Sequence, residues 1–97
     1  MSVRLARYTV EPERCDEAVD AFMEASKEIA ALGGLERGYL LVDSNEGSIV
    51  TLTVWADQAS LDASDVRSAM LRQKAIGAVE GDVQSVQVFD VVHEFRS

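Results

Sequence analysis

A chain of 97 residues has room for a single domain, residues 1–97, and buries so modest a share of its surface that a partner subunit would help it. Seventeen Asp and Glu against nine Lys and Arg leave a net charge of −8, which argues against nucleic acid and anionic membranes as partners, since both require basic patches. The apolar fraction of 47% is that of an ordinary globular protein, no apolar run reaches transmembrane length and the N-terminus shows no signal-peptide pattern, so a soluble, intracellular, cytoplasmic protein is expected.

Val3 to Val10 predicts a first strand, with Val3, Leu5, Tyr8 and Val10 as its apolar content and Arg4 and Arg7 among them. The parity is mixed, and its faces stay unassigned. Glu11-Pro12 breaks the strand, and proline suits the first turn of a helix, where its missing N–H costs nothing. Glu11, Glu13, Asp16 and Glu17 place negative charge at the positive end of the helix dipole. Cys15, Ala18, Val19, Phe22, Met23, Ser26, Ile29 and Leu32 follow helical spacing. Cys15, the only cysteine, falls on this apolar stripe and reads as a small buried hydrophobe. Asp16, Asp20, Glu24 and Glu28 form a second stripe. Charges spaced this way face solvent, no calcium-loop pattern accompanies them, and no metal site is assigned. Gly33-Gly34 stops the helix.

Gly38 to Asp43 is the second strand, Ser44-Asn-Glu-Gly47 a turn, and Ser48 to Trp55 the third strand, closing a hairpin. The third strand is rich in β-branched residues and alternates strictly. Val50, Leu52 and Val54 point one way; Ile49, Thr51, Thr53 and Trp55 point the other. Asp57 caps a short helix, Gln58 to Ala63, and Ser64 caps a longer one from Asp65 to about Val79. Val66, Ala69, Met70, Gln73, Ile76 and Gly77 form its predicted inner stripe, with Arg67, Arg72, Lys74 and Glu80 outside. Gly81-Asp82 ends it. Val83 to Phe95 predicts a long last strand, with Phe89, Val91, His93 and Phe95 on one face and Val86, Val88 and Val92 on the other.

The order βαββααβ, two strand–helix–strand crossovers around a central hairpin, predicts an α+β ferredoxin-like fold with a four-stranded antiparallel sheet. Both helical layers then cover one sheet face. The other face is aliphatic, and homodimerisation through it is expected.

At this point the chain resembles a known family. The element order, the run Gly38-Tyr39-Leu40-Leu41, and Trp55-Ala56-Asp57 opening a short helix look like the antibiotic biosynthesis monooxygenase-like domains of the dimeric α/β barrel superfamily. The resemblance implies two sheets packed back to back, with a ligand pocket in each subunit between the sheet and its own helices. It implies a pocket-facing Trp55, with Thr51 and Thr53 on the same wall and Val50, Leu52 and Val54 inside the dimer barrel. Some members oxygenate phenols or quinols with no metal or flavin, so no cofactor is expected; Trp55 Nε1–H would donate to the developing anion. Cofactor-free oxygenases of this kind carry Asn where this chain has Thr51, and Tyr near the position of Leu61. Haem-degrading relatives use a first-strand Asn and a His ten residues beyond the Trp, where this chain has Asp65. Without that axial ligand, haem binding or degradation ranks last.

The candidate catalytic residues are Trp55 and, more weakly, His93; the candidate ligand-binding residues are Thr51, Thr53, Tyr39 and Met70. Each also has a structural reading. Trp55 can be a packed core aromatic, His93 an interface residue beside Phe89 and Phe95, Met70 core filler, and Tyr8 or Tyr39 a sheet-edge residue. No nucleophile–base pair, phosphate loop or metal-ligand spacing occurs. The leading expectation is a cofactor-independent monooxygenase-like homodimer acting on a small aromatic or quinol-type metabolite. A non-catalytic dimer binding a small ligand is the alternative.

Overall fold

The computed structural model describes residues 1–97. Its elements are β1 (Ser2–Thr9), a 3-10 turn (Pro12–Arg14), α1 (Cys15–Ala30), β2 (Leu35–Asp43), β3 (Ser48–Trp55), α2 (Gln58–Ala63), α3 (Asp65–Gly77) and β4 (Asp82–Asp90). The strands form one sheet in the order β2-β3-β1-β4, antiparallel throughout. This is the ferredoxin-like α+β architecture expected from the element order.

Register resolves the parity of β1. Ser2, Arg4, Ala6 and Tyr8 pair with Trp55, Thr53, Thr51 and Ile49, and paired residues share a face. The even residues of β1 and the odd residues of β3 therefore lie under the helices. Val3, Leu5 and Arg7 pair with Val54, Leu52 and Val50 on the opposite face, where Tyr39, Leu41 and Phe89 join them by pairing with Leu52, Val50 and Val3.

The core lies at one end of the helix-covered face. Cys15, Ala18, Phe22 and Ala25 of α1 are buried at spacings of three and four, so one stripe of the helix faces inward. They meet Ala6, Tyr8 and Ile49 from the sheet and Leu71, Ala75, Ile76 and Val79 from α3 and the segment after it. Burying a side chain the size of Phe22 contributes about 1.5–3 kcal/mol. Phe22 also packs tilted on Tyr8, with ring centroids 4.7 Å apart. The β2–β3 turn is held to the end of β1 by Val10 N–H donating to Gly47 O at 2.8 Å. Gly47 has φ +67°, and a Cβ there would stand 2.1 Å from Val10 O.

Two expectations are corrected. The last strand stops at Asp90 rather than Phe95, where its pairing with β1 ends at Ser2 opposite Asp90. One more backbone bond, from Val91 N–H to Met1 O, closes the ladder, and His93 and Phe95 follow it on an irregular tail. The inner stripe of α3 is also different. Val66 is 75% exposed and Met70 60%, while Ser68, Leu71, Ala75 and Ile76 are buried. The stripe contains polar residues because it faces a cavity, described below.

The end of α3 has its own strain. Gly81 N–H donates to Ile76 O and Glu80 N–H to Gly77 O, a Schellman arrangement whose left-handed position is occupied by Glu80 at φ 55°. Left-handed backbone costs a residue with a Cβ about 1–2 kcal/mol. The Glu80 carboxylate lies 4.0 Å from Arg14 and is 89% exposed, so its loss matters little. Glu80→Gly is therefore expected to stabilise the fold by about 0.5–1 kcal/mol, read as a higher denaturation midpoint in urea with unchanged slope.

Candidate functional site

The helix-facing side of the sheet loses its large apolar residues away from the core. Across three strands, one row reads Gly38, Thr53, Arg4 and the next Leu40, Thr51, Ala6. Gly38 has no side chain and the threonines are short, so the helices cannot close on the sheet there. A cavity of about 370 Å³ remains. Phe22, Met23, Ala25, Ser26, Ile29 and Ala30 of α1 form one wall, and Leu35, Gly38, Tyr39 and Leu40 of β2 another. Thr51 and Thr53 of β3, Arg4 of β1, and Ser68 and Arg72 of α3 complete it. Met23, Ser26, Ala30, Gly38 and Tyr39 are exposed, which places the mouth between α1 and β2. Arg4 and Ser68 are buried and mark the inner end. The lining includes no His, Cys, Asp or Glu.

Arg4 is only 4% exposed, and the corner between α2 and α3 is built around it. Its Nη1 donates to Ser64 Oγ at 3.1 Å, and its Nη2 donates to Leu61 O at 3.1 Å and to the Asp65 carboxylate. The guanidinium carbon stands 5.9 Å from the centroid of the Trp55 ring, a cation–π distance. A buried charge needs such partners, because desolvation without them costs several kcal/mol.

Trp55 is fully buried and does not line the cavity itself. Its Nε1–H donates to Thr53 Oγ1 at 3.0 Å, and Thr53 lines the cavity. Thr51 is matched in the same way, its Oγ1 lying 3.1 Å from the Tyr8 hydroxyl. Two cavity threonines are thus each backed by an aromatic side chain with a polar tip. Burial pushes the Tyr8 phenol above its ordinary value of 10.0, against the opposing pull of Thr51, Arg72 and Arg4. Burial pushes the Arg72 guanidinium down, and Arg4 adds repulsion in the same direction; Tyr8 and Asp65 pull it back up.

The structure brings Thr51, Thr53 and Tyr39 to the cavity. Tyr39 is half exposed and pairs with Leu52 of the opposite face, so it borders the mouth from the sheet edge. Met70 lies on the solvent side of α3. His93 is exposed on the tail, its ring stacked on Phe95 at 5.7 Å, and does not line the cavity. The sequence assigns no role to Arg4 or Ser68 and places Arg72 outside the inner stripe of α3; the structure corrects this, since Arg72 lines the cavity. The signal for Ser68 and Arg72 is the four-residue spacing Ser64, Ser68, Arg72, continued by Leu71, Ala75 and Ile76, which places polar groups on the buried stripe.

The architecture is a ferredoxin-like domain with a one-mouthed cavity between its sheet and helices. Residues 1–72 match the family model of antibiotic biosynthesis monooxygenases, and the chain belongs to that family. No curated protein matches it. Three solved structures share the fold. A Deinococcus radiodurans protein, provisionally named an antibiotic biosynthesis monooxygenase, is 9% identical with a TM-score of 0.81 over 100% of this chain and 98% of its own. SnoaB, a cofactor-independent oxygenase from Streptomyces nogalater, is 18% identical with a TM-score of 0.74 over 99% and 97%. Rv0793 from Mycobacterium tuberculosis is 16% identical with a TM-score of 0.72 over 96% of each chain. No helix is long and apolar enough to cross a membrane.

Tyr8 supplies a pH test. A phenol whose folded value is raised stabilises the fold fully below pH 10, and that contribution is lost as pH rises through the raised value. The melting temperature is expected to fall above about pH 10, and the fall to be shallower in Tyr8→Phe, when both proteins are scanned from pH 8 to 11.

Proposed function

We propose that the protein is a cofactor-independent monooxygenase of its family, acting as a homodimer on a small aromatic, quinol-type metabolite. The observation that carries this reading is the pair of cavity hydroxyls, Thr53 oriented by Trp55 and Thr51 by Tyr8, beneath apolar walls. With its acceptor site engaged by the indole N–H, the Thr53 hydroxyl is set to donate its own proton into the cavity. Family resemblance named Trp55 as the donor to the anion. In this geometry Trp55 is a positioning residue, and Thr53 is the group that would touch substrate.

The chemistry needs an electron-rich anion. A phenol O–H ionises, and the resulting phenolate donates an electron pair from ring carbon to dioxygen, forming a C–O bond and a peroxide anion, which takes up the proton the phenol released and becomes a hydroperoxide. The O–O bond then breaks as the proton on that carbon leaves, giving a quinone carbonyl and one water. The Arg72 guanidinium, which has no carboxylate partner in the chain, favours an anionic ligand in the cavity, as cations near an acid do, whereas Arg4 is already paired with Asp65. Thr51 and Thr53 donate to the phenolate oxygen, and the apolar side chains of Phe22, Ile29, Leu35 and Leu40 surround the ring. The lining offers no carboxylate or imidazole to take the phenol proton, and this favours a second reading, a ligand-binding dimer without turnover.

Oxygen uptake by the metal-free protein with a panel of hydroquinones tests the first reading. Uptake is expected, reduced about a hundredfold in Thr53→Val and in Trp55→Phe. Binding of the same hydroquinones with no uptake would select the second reading.

The dimer is supported by the uncovered sheet face. Tyr39, Leu41 and Phe89 are about half exposed there, beside Val3, Leu5, Val50 and Leu52, and an apolar surface of this kind marks an interface. Light scattering is expected to give twice the chain mass. Leu41→Lys should give a folded monomer, because Leu41 is exposed in the single chain and its loss leaves the core intact.

A further inference from the structure

Arg72 and Ser68, both on α3 and away from the exposed mouth, are cavity groups whose bonding is incomplete within the chain. Arg72 forms no ion pair and no side-chain hydrogen bond, although it is half-buried beside a second guanidinium. Ser68 Oγ is buried in a residue only 2% exposed and has no hydrogen-bond partner. The two lie four residues apart on α3 and so occupy one helix face, one turn from each other. Both arrangements are unfavourable for folding alone, since buried polar groups without partners are destabilising. Leucine and alanine would suit a helix stripe built only for packing. Arg4 is not in the same position, because Ser64, Leu61 and Asp65 engage its Nη1 and Nη2.

What satisfies both groups together is an acceptor-only group with two adjacent oxygens. The guanidinium fork matches a planar carboxylate, and a serine O–H donates to the same oxygens. The chain has a net charge of −8, yet the cavity lining carries two cations and no acid, and of the two only Arg4 is paired with a carboxylate, that of Asp65. The walls of Phe22, Ile29, Leu35 and Leu40 suit an apolar body, and about 370 Å³ falls within the range of small-ligand sites.

We propose that the ligand of this cavity is an aryl carboxylate, its carboxylate seated between the Arg72 guanidinium and the Ser68 hydroxyl and its ring system against the α1 and β2 walls. The proposal rests on the reading of the cavity as a site for small aromatics, and it names the group that the quinol-type substrate carries besides its phenol. Arg72 and Ser68 select and hold the ligand; Thr51 and Thr53 remain free for the reacting oxygen.

Titration calorimetry with 1-naphthoate and its neutral counterpart 1-naphthamide tests it on the intact protein. The carboxylate is expected to bind at least about tenfold tighter than the amide, a preference in the range of one hydrogen bond to a charged group. Arg72→Gln should abolish the preference, Arg72→Lys should keep part of it, and Ser68→Ala should reduce it. Without ligand, Ser68→Ala and Arg72→Gln should melt no lower than the parent protein, because each removes a poorly satisfied polar group. Equal affinity for naphthoate and naphthamide, unchanged by Arg72→Gln, would overturn the carboxylate assignment and leave the aromatic cavity standing. Absence of binding by either probe would overturn both. A clear fall in melting temperature in both variants would assign the two residues to structure and overturn the proposal as well.

Discussion

The burial of the Arg4 guanidinium is the constraint on which the arrangement of this molecule turns. A charge placed under the helices must find a carboxylate and several acceptors, and a strand cannot supply them from its own sequence neighbours. They come from 57 to 61 residues further along the chain: Leu61 O, Ser64 Oγ and Asp65. Those three lie where α2 hands over to α3, so satisfying Arg4 fixes that corner against β1. Ser64 Oγ in turn donates to Leu61 O at 2.7 Å, which tightens the corner. Once the start of α3 is placed, helical spacing carries Ser68 and Arg72 to the cavity wall. Trp55, lying under the Arg4 guanidinium, keeps its N–H for Thr53.

A second consequence concerns where the sheet is filled and where it is not. Large side chains on the helix-covered face are concentrated at one end, around Tyr8 and Ile49 with Phe22 above them. Trp55 closes the other end. Between them stand Ala6, Gly38, Thr51 and Thr53, all small, and the space they leave is the cavity. The hydroxyls there are backed by Tyr8 and Trp55, both buried and unable to reorient without breaking the core. A site of this kind is precise because its hydroxyls sit on central strands rather than on loops.

Much of the fold was legible in the sequence. The alternation along Ser48 to Trp55 separates the two faces of β3 correctly, Asp57 caps α2 as expected, and the helix ends fall within a few residues of their glycines; Ser64 precedes α3 but turns its hydroxyl to Leu61 O and Arg4 instead of capping it. The misreadings occurred where local pattern and tertiary environment disagree. Val83 to Phe95 has strand character throughout, but a strand exists only while a partner pairs with it, and the pairing with β1 ends at Asp90 opposite Ser2. In α3 the apolar residues Val66 and Met70 attracted the inner stripe to themselves. The helix instead turns Ser68 and Arg72 toward the cavity, while its Leu71, Ala75 and Ile76 pack into the core. The element that departs from binary patterning is the one that carries the candidate site, as expected where binding competes with packing.

The sequence by itself determined the element order, the topology that follows from it, the division of β3 into an aliphatic and a hydroxyl face, and the family to which the chain is similar. These are set by local periodicity, turn chemistry and the handedness of crossovers, all of which can be read along the chain. Only the tertiary structure decided that the Trp55 N–H donates to Thr53, that Tyr8 stands behind Thr51, that Arg4 is held by the α2–α3 corner, and that Arg72 and Ser68 face the cavity without partners. Each of these joins residues distant in sequence, or depends on how a helix is rotated against the sheet. That rotation is chosen by the packing of both elements together, and no single stretch of sequence contains it.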